Sequence, residues 1–148
     1  MATFGNTSKE RLITCHNDLQ LIMENTIKYM DFSITYGVRT DKEQQDLYAK
    51  GRVLEDGGWR IIGPIVTNCD GIVKKSKHQP INGVSNAVDI VPFSNGSMQW
   101  NDDKLWKKLS REVWKSIQML LLQGKISNEI RWGGFWTSMV DKPHWEIK

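Results

Sequence analysis

Two stretches of this chain combine imidazoles with carboxylates. Ser76-Lys77-His78 is followed by Asn86-Ala87-Val88-Asp89, and Asp141-Lys142-Pro143-His144-Trp145-Glu146 lies near the C-terminal end. Two imidazoles and one carboxylate make a three-donor set of the kind that holds a catalytic zinc ion, because a fourth position stays open for water; a structural zinc is closed by four protein ligands. His78 and His144 are far apart in the chain, so only folding can bring them together. His16, the third histidine, lies on a predicted helix with no other metal-binding residue a turn away and reads as a packed or surface residue.

Each of these residues also has a plainer reading. An ionised Asp89 within Val-Asp-Ile-Val is costly to bury unless paired or metal-bound, and a salt bridge to Arg or Lys would serve as well as a metal. Asp141 before Lys142-Pro143 could be a surface turn residue. Lys74, Lys75 and Lys77 crowd beside His78 and read either as a solvated loop or as an attraction for a carboxylate-bearing substrate.

The elements that must position these groups can be read from periodicity. Leu12, Cys15, Leu19, Ile22, Met23, Ile27 and Met30 recur at helical spacing, which predicts one helix from about Ser8 to Met30. Phe32 to Tyr36 alternates as a short strand ending at Gly37. Thr40-Asp41-Lys42-Glu43 has the form of a capping box, opening a short helix that stops at Gly51. Ile61, Ile62, Ile65 and Val66 indicate a pair of short strands or a broken one. Ala87 to Val91 reads as a buried strand ended by Pro92. Leu105, Trp106, Leu109, Val113, Trp114, Ile117, Leu120 and Leu121 mark a long amphipathic helix between Asn101 and Gln123, with Asn101 or Asp102 as cap and Gly124 as stop. The tail is expected to hold a strand around Glu129 to Trp132, a Gly133-Gly134 turn and a last strand through His144 to Ile147, with Trp132, Trp136 and Trp145 in the core. Strands and helices in no regular alternation give an α+β class: a small antiparallel or mixed sheet packed by helices.

With 148 residues the chain is sized for a single domain, residues 1–148, with no separate binding domain expected. An apolar fraction of 39% and a charged fraction of 25% are those of globular proteins. No apolar run reaches membrane-spanning length, and no secretory signal pattern opens the chain. A net charge of +3 falls short of a nucleic-acid-binding face. Cys15 and Cys69 are too few for a disulfide framework, so reduced thiols are expected. A monomer is the default.

Ser76-x-His78, Ala87-x-Asp89 and Asp141-x-x-His144-Trp145 together resemble the signature of the zinc D-Ala-D-Ala carboxypeptidase and L-alanyl-D-glutamate endopeptidase family, which shares its fold with the hedgehog domain. The phage endolysin branch is the most similar. Gly37-Val38-Arg39-Thr40 with Glu43-Gln44, Leu47 to Arg52, Val66-Thr67-Asn68 and Arg131-Trp132-Gly133-Gly134 resemble endolysin segments in the same order. The resemblance implies that His78, Asp89 and His144 ligate Zn2+ and that Asp141 is the catalytic acid/base. It places Arg39, a candidate for stabilising the oxyanion or else a helix-end ion-pair partner, and Gln44 near the substrate; Ser76 is a further candidate for binding substrate or a ligand. Glu146, two residues after His144 on the same strand face, could orient a ligand.

Two departures stand out. The family's aspartate usually follows its first histidine at a shorter interval than the eleven positions from His78 to Asp89, so Gln79 to Asn86 must form an enlarged loop. Phe135 stands where related chains often carry an acid.

The resemblance implies a zinc peptidase that cuts the stem peptide of bacterial peptidoglycan, between L-Ala and D-Glu, during phage lysis. Such an enzyme would accumulate in the host cytoplasm and reach the wall once the membrane is permeabilised. A D-Ala-D-Ala peptidase of the same fold, or a non-catalytic zinc-bearing binding module, are the alternatives.

Overall fold

A computed structural model describes residues 1–148. The elements run α1 (Asn6–Leu12), α2 (Asn17–Thr26), β1 (Phe32–Tyr36), α3 (Asp41–Ala49), β2 (Arg52–Glu55), β3 (Gly58–Ile61), β4 (Ala87–Ser94), β5 (Ser97–Met98), α4 (Asp103–Leu122), β6 (Ile130–Trp132), a 3-10 turn (Gly133–Phe135) and β7 (His144–Ile147). The main sheet has the order β1-β4-β7-β6, with β5 also on β4. Every pairing is antiparallel, and β2 and β3 form a separate hairpin. The architecture is α+β, with helices packed on a small antiparallel sheet.

The leading apolar stripe is buried from Leu12 through Met30, but one predicted helix is two. The chain breaks at Thr14-Cys15-His16, where the backbone turns aside to bond a distant loop: His16 N–H donates to Ser85 O at 2.8 Å and Ser85 N–H donates to Thr14 O at 2.9 Å. Thr14 Oγ1 accepts from Val38 N–H at 2.8 Å, and His16 Nδ1 accepts from Asp18 N–H at 3.1 Å, capping α2. Tertiary bonds thus replace a turn of helix that periodicity alone would continue.

Helix α1 covers the free edge of β1, whose Ile34 N–H donates to Ser8 Oγ at 3.0 Å and whose Ile34 carbonyl accepts from Arg11 at 3.0 Å. This satisfies an edge strand that would otherwise invite pairing. Helix α4 starts at Asp102, whose carboxylate accepts from the N–H groups of Lys104 and Leu105. Its Trp106, Leu109, Val113, Ile117 and Leu120 are buried, whereas Leu121, expected on the same stripe, is exposed. Strand β4 runs through Pro92 to Ser94 rather than stopping at Pro92. Ile62, Ile65 and Val66 lie outside any strand, the hairpin ending at Ile61. At α3 only half of the capping box forms as drawn. Thr40 Oγ1 accepts from Glu43 N–H at 3.1 Å, but the Glu43 carboxylate takes the Thr40 hydroxyl rather than its backbone N–H.

Asp18 is the strut between α2 and the turn that leads into β6. Its buried carboxylate accepts from Ser127 N–H, Asn128 N–H and Asn128 Nδ2 at 3.2, 3.1 and 2.8 Å. Burial alone would raise its pKa, but these donors from Asn128 and Ser127 hold it below the ordinary carboxylate value. The ionised form is therefore favoured by folding, and its stabilisation is present at neutral pH and lost as pH falls through the folded value. Asp18→Ala is expected to cost about 2–3 kcal/mol at pH 7, the scale of charged hydrogen bonds left unmade, measured by urea unfolding. The deficit against wild type should shrink below about pH 4; a deficit independent of pH would contradict the assignment.

Candidate metal centre

The register of the central strands puts Asp89 directly opposite His144, with Ala87 opposite Glu146. Side chains alternate along β7, so His144 and Glu146 share one face while Trp145 turns into the core. His78 reaches the same point from the loop before β4. The gap to Asp89 does contain additional chain, yet it does not pull His78 away. Ile81 and Val84 pair across Asn82-Gly83, both with positive φ (52° and 82°), in a tight two-residue turn. Ser85, the next residue, is pinned to Thr14 and His16, and Asn86 N–H donates to Lys77 O at 2.9 Å. The insertion closes on itself as a small hairpin, and the chain re-enters β4 in register.

Three donor atoms meet in a nearly equilateral triangle. His78 Nε2 lies 3.2 Å from His144 Nδ1 and 3.2 Å from Asp89 Oδ1, and His144 Nδ1 lies 3.1 Å from Asp89 Oδ1. Three ligands bound at about 2.0–2.1 Å to one tetrahedral ion stand about 3.3 Å apart, so this set fits a single small cation. The far side of each ring is also committed. His78 Nδ1 faces Gly37 O at 2.8 Å; a carbonyl only accepts, so Nδ1 carries a proton and Nε2 is the atom turned to the triangle. His144 Nε2 meets Glu146 Oε1 at 3.0 Å, which fixes that ring the same way. Outer partners of this kind set the tautomer and orientation of metal-ligating histidines.

The electrostatics agree with a site built around positive charge. Burial pushes the Asp89 carboxyl up, but the charge of His78 and hydrogen bonds from His144 and His78 outweigh it and hold the acid well below the ordinary range. Burial lowers the His144 pKa, yet hydrogen bonds to Asp89 and Glu146 raise it to about 9. A raised His144 pKa favours a proton among these acceptors, and a bound metal would compete with it, which is why such sites release protons on loading. Both readings of Asp89 find a counterpart, since Arg39 Nη2 also approaches its Oδ2, but at 3.8 Å, looser than the histidine contacts.

Asp141 sits at the mouth of the turn entering β7. His144 N–H donates to its carbonyl at 3.2 Å, and its own N–H donates to Gly133 O at 3.0 Å. A Cβ on Gly133 would collide with the Asp141 carbonyl and crowd the Cβ atoms of Asp141 and His144 at 3.1 Å each, so only glycine lets this turn lie flat on the end of β6. The Asp141 carboxyl is raised above its ordinary value, first by burial and then by the Asp89 charge. It lines the same cleft as His78, Asp89 and His144.

Arg39 is buried, its guanidinium 4.6 Å over the Tyr36 ring and its backbone N–H donating to His78 O at 2.9 Å. Its Nη1 donates to Gln44 Oε1 at 2.9 Å, and its Nε has no partner. Gln44 is fully buried and does not line the cleft. Its amide donates to Cys69 O at 2.8 Å and Thr67 Oγ1 at 3.3 Å, so it lies beneath Arg39 as a support. Ser76 lines the cleft and its Oγ accepts from His78 N–H at 3.2 Å. Trp145 is buried, whereas Trp136, expected in the core, lines the cleft with its ring 5.1 Å from that of His144. Sequence reasoning missed Gly37, Tyr36 and Gln79 as site supports, since none carries a metal-binding or proton-transfer signature.

The cleft encloses about 930 Å³ above the donor triangle. Leu47, Ile65, Val66, Met139 and Val140 contribute apolar lining. A cleft that combines apolar lining with a few convergent polar groups suits a peptide ligand.

No protein-family model matches the chain. Over 151 aligned residues, 98% of this chain and 88% of the relative, it is 28% identical to the L-alanyl-D-glutamate peptidase of Escherichia phage T5. Its fold superposes on the crystal structure of the Serratia marcescens L-Ala D-Glu endopeptidase ChiX with a TM-score of 0.71 at 20% identity, covering 98% of this chain and 89% of that one. The chain is thus similar to L-alanyl-D-glutamate peptidases along essentially its whole length, shares the L-Ala-D-Glu endopeptidase fold, and holds a His-Asp-His cluster able to bind a metal ion.

Proposed function

We propose that this protein is a zinc-dependent peptidoglycan peptidase that hydrolyses the bond between L-alanine and D-glutamate in the wall stem peptide, in the manner of a phage endolysin. The observation that carries the reading is the donor triangle of His78, Asp89 and His144, with edges of 3.1–3.2 Å, on the floor of a cleft that also holds Asp141 and Arg39. The likeness to two L-Ala-D-Glu peptidases over 98% of this chain supports that choice of substrate.

His78, Asp89 and His144 would hold the ion, and zinc when bound supplies Lewis-acid polarisation of the scissile carbonyl and the attacking water. Asp141 takes the proton from that water and returns it to the leaving amine, a transfer its position beside the triangle permits. Arg39, held by Gln44 and Tyr36, offers its guanidinium to the negative charge that develops on the carbonyl oxygen. Glu146 and Gly37 keep the two rings aimed. Ser76 fixes the backbone of His78 at the rim and is placed to meet the substrate. The site acts on peptide at the wall, which an enzyme made in the host cytoplasm reaches after the membrane is opened; no helix here is long and apolar enough to cross a membrane.

The direct test is digestion of purified muropeptides with fragment identification. Cleavage between L-Ala and D-Glu, lost with chelator and restored by zinc, is expected; release of D-Ala alone would overturn the bond assignment. Asp141→Ala should lower kcat by about 10²–10⁴ while retaining metal, and a variant that lyses walls at the wild-type rate would remove Asp141 from the chemistry. Glu146→Gln should weaken zinc binding about 10–100-fold, read by competition with a chromophoric chelator; unchanged affinity would leave Glu146 no part in orienting His144.

A further inference from the structure

The cleft is lined by groups of both charges. Asp89, Asp141 and Glu146 lie with the two histidines, and Lys74, Lys75 and Lys77 line the same cleft. Lys75 is paired with Asp41 at 3.3 Å. Lys74 and Lys77 make no ion pair with any acid of the chain, and Lys77 is half-buried. Lys74 is exposed at the cleft edge and Lys77 lies one residue before His78, so two ammonium groups without a close ion-pair partner border the cleft.

The backbone that carries them is rigidly anchored. Asp70 Oδ1 accepts from the N–H groups of Ile72, Val73 and Lys74 at 2.8, 2.9 and 2.9 Å, and Gly71 N–H donates to Lys74 O at 3.2 Å. Buried Gln79 ties both ends. Its amide donates to Gly71 O at 3.0 Å and Asp41 Oδ1 at 2.7 Å, and its carbonyl accepts from Ser76 N–H at 2.8 Å. These bonds fix the backbone from which Lys74 and Lys77 extend beside the cleft.

D-Glutamate has two carboxyl groups. A peptide continuing through it uses one, and the other is left free or amidated. We propose that Lys74 and Lys77 form a subsite for that free carboxylate on the residue that supplies the amine of the cut bond, and so select D-glutamate over its amide. The inference rests on the function proposed above and adds which form of the substrate the cleft takes. The amide has no charge to meet the ammonium groups and leaves both cations uncompensated when the substrate displaces water from the cleft.

The test compares kcat/KM on a matched pair of stem peptides that differ only in whether this carboxylate is free or amidated. Wild type should prefer the free acid roughly tenfold, the scale of one or two partly screened ion pairs, and the preference should fall as salt is raised. In a Lys74→Ala, Lys77→Ala double variant the preference should vanish because KM for the acid rises, with kcat retained; matching thermal midpoints would show that the fold is intact. Equal rates for wild type on the two substrates, or a preference that survives in the variant, would overturn the subsite. A wild type that cuts neither peptide would instead overturn the proposed activity and the subsite with it.

Discussion

The structure turns on one carboxylate in the wrong place for a core strand. Asp89 interrupts an otherwise apolar β4, and its burial without positive charge would be prohibitive. The fold answers by setting His144 opposite it on β7 and by bringing His78 in from the side. Antiparallel pairing makes this dependable, because a slip of one residue would send Asp89 or His144 to the opposite sheet face. The register is held by the alternation that buries Val88, Ile90 and Trp145 and by the bond from Ile90 N–H to Pro143 O at 3.0 Å. Packing of the core and geometry of the site are therefore fixed by the same residues.

Around this pair the chain spends small residues and backbone carbonyls to aim the rings. Gly133 lets the Asp141–His144 turn lie against β6, and Gly37 supplies the carbonyl that fixes His78. A Cβ at Gly37 would strike Arg11 O and Thr14 Oγ1, so the same close approach ties the site to the break between α1 and α2. Arg39 extends the arrangement outward: its backbone holds His78 O, its guanidinium lies over Tyr36, and Gln44 holds it from below. Anchoring from so many elements favours a preorganised site, which is the requirement for electrostatic stabilisation of developing charge.

Much of this was legible in the residues. The stripes of α2 and α4, the strands β1, β6 and β7, and the Asp102 cap follow from local periodicity and capping chemistry, which act over a few residues. The strand-borne acid and the i, i+2 placement of His144 and Glu146 also follow from strand geometry alone. The break at Thr14-Cys15-His16 did not, because it is made by bonds to Ser85 and Val38, partners remote in the chain. The long interval from His78 to Asp89 looked like a loop bulging outward; its Asn82-Gly83 pair is a hairpin signal, and that signal was local and readable. Gln44 and Trp136 changed places, the polar residue going under the site and the aromatic onto the cleft, since burial at a cleft edge is decided by tertiary neighbours and not by residue type.

His78 Nε2, His144 Nδ1 and Asp89 Oδ1 are positioned to bind one divalent cation. Crystals grown with zinc and measured across its absorption edge test this directly. One strong anomalous peak is expected about 2.0–2.1 Å from all three atoms. A peak elsewhere on the protein, or none with the three side chains ordered, would contradict it.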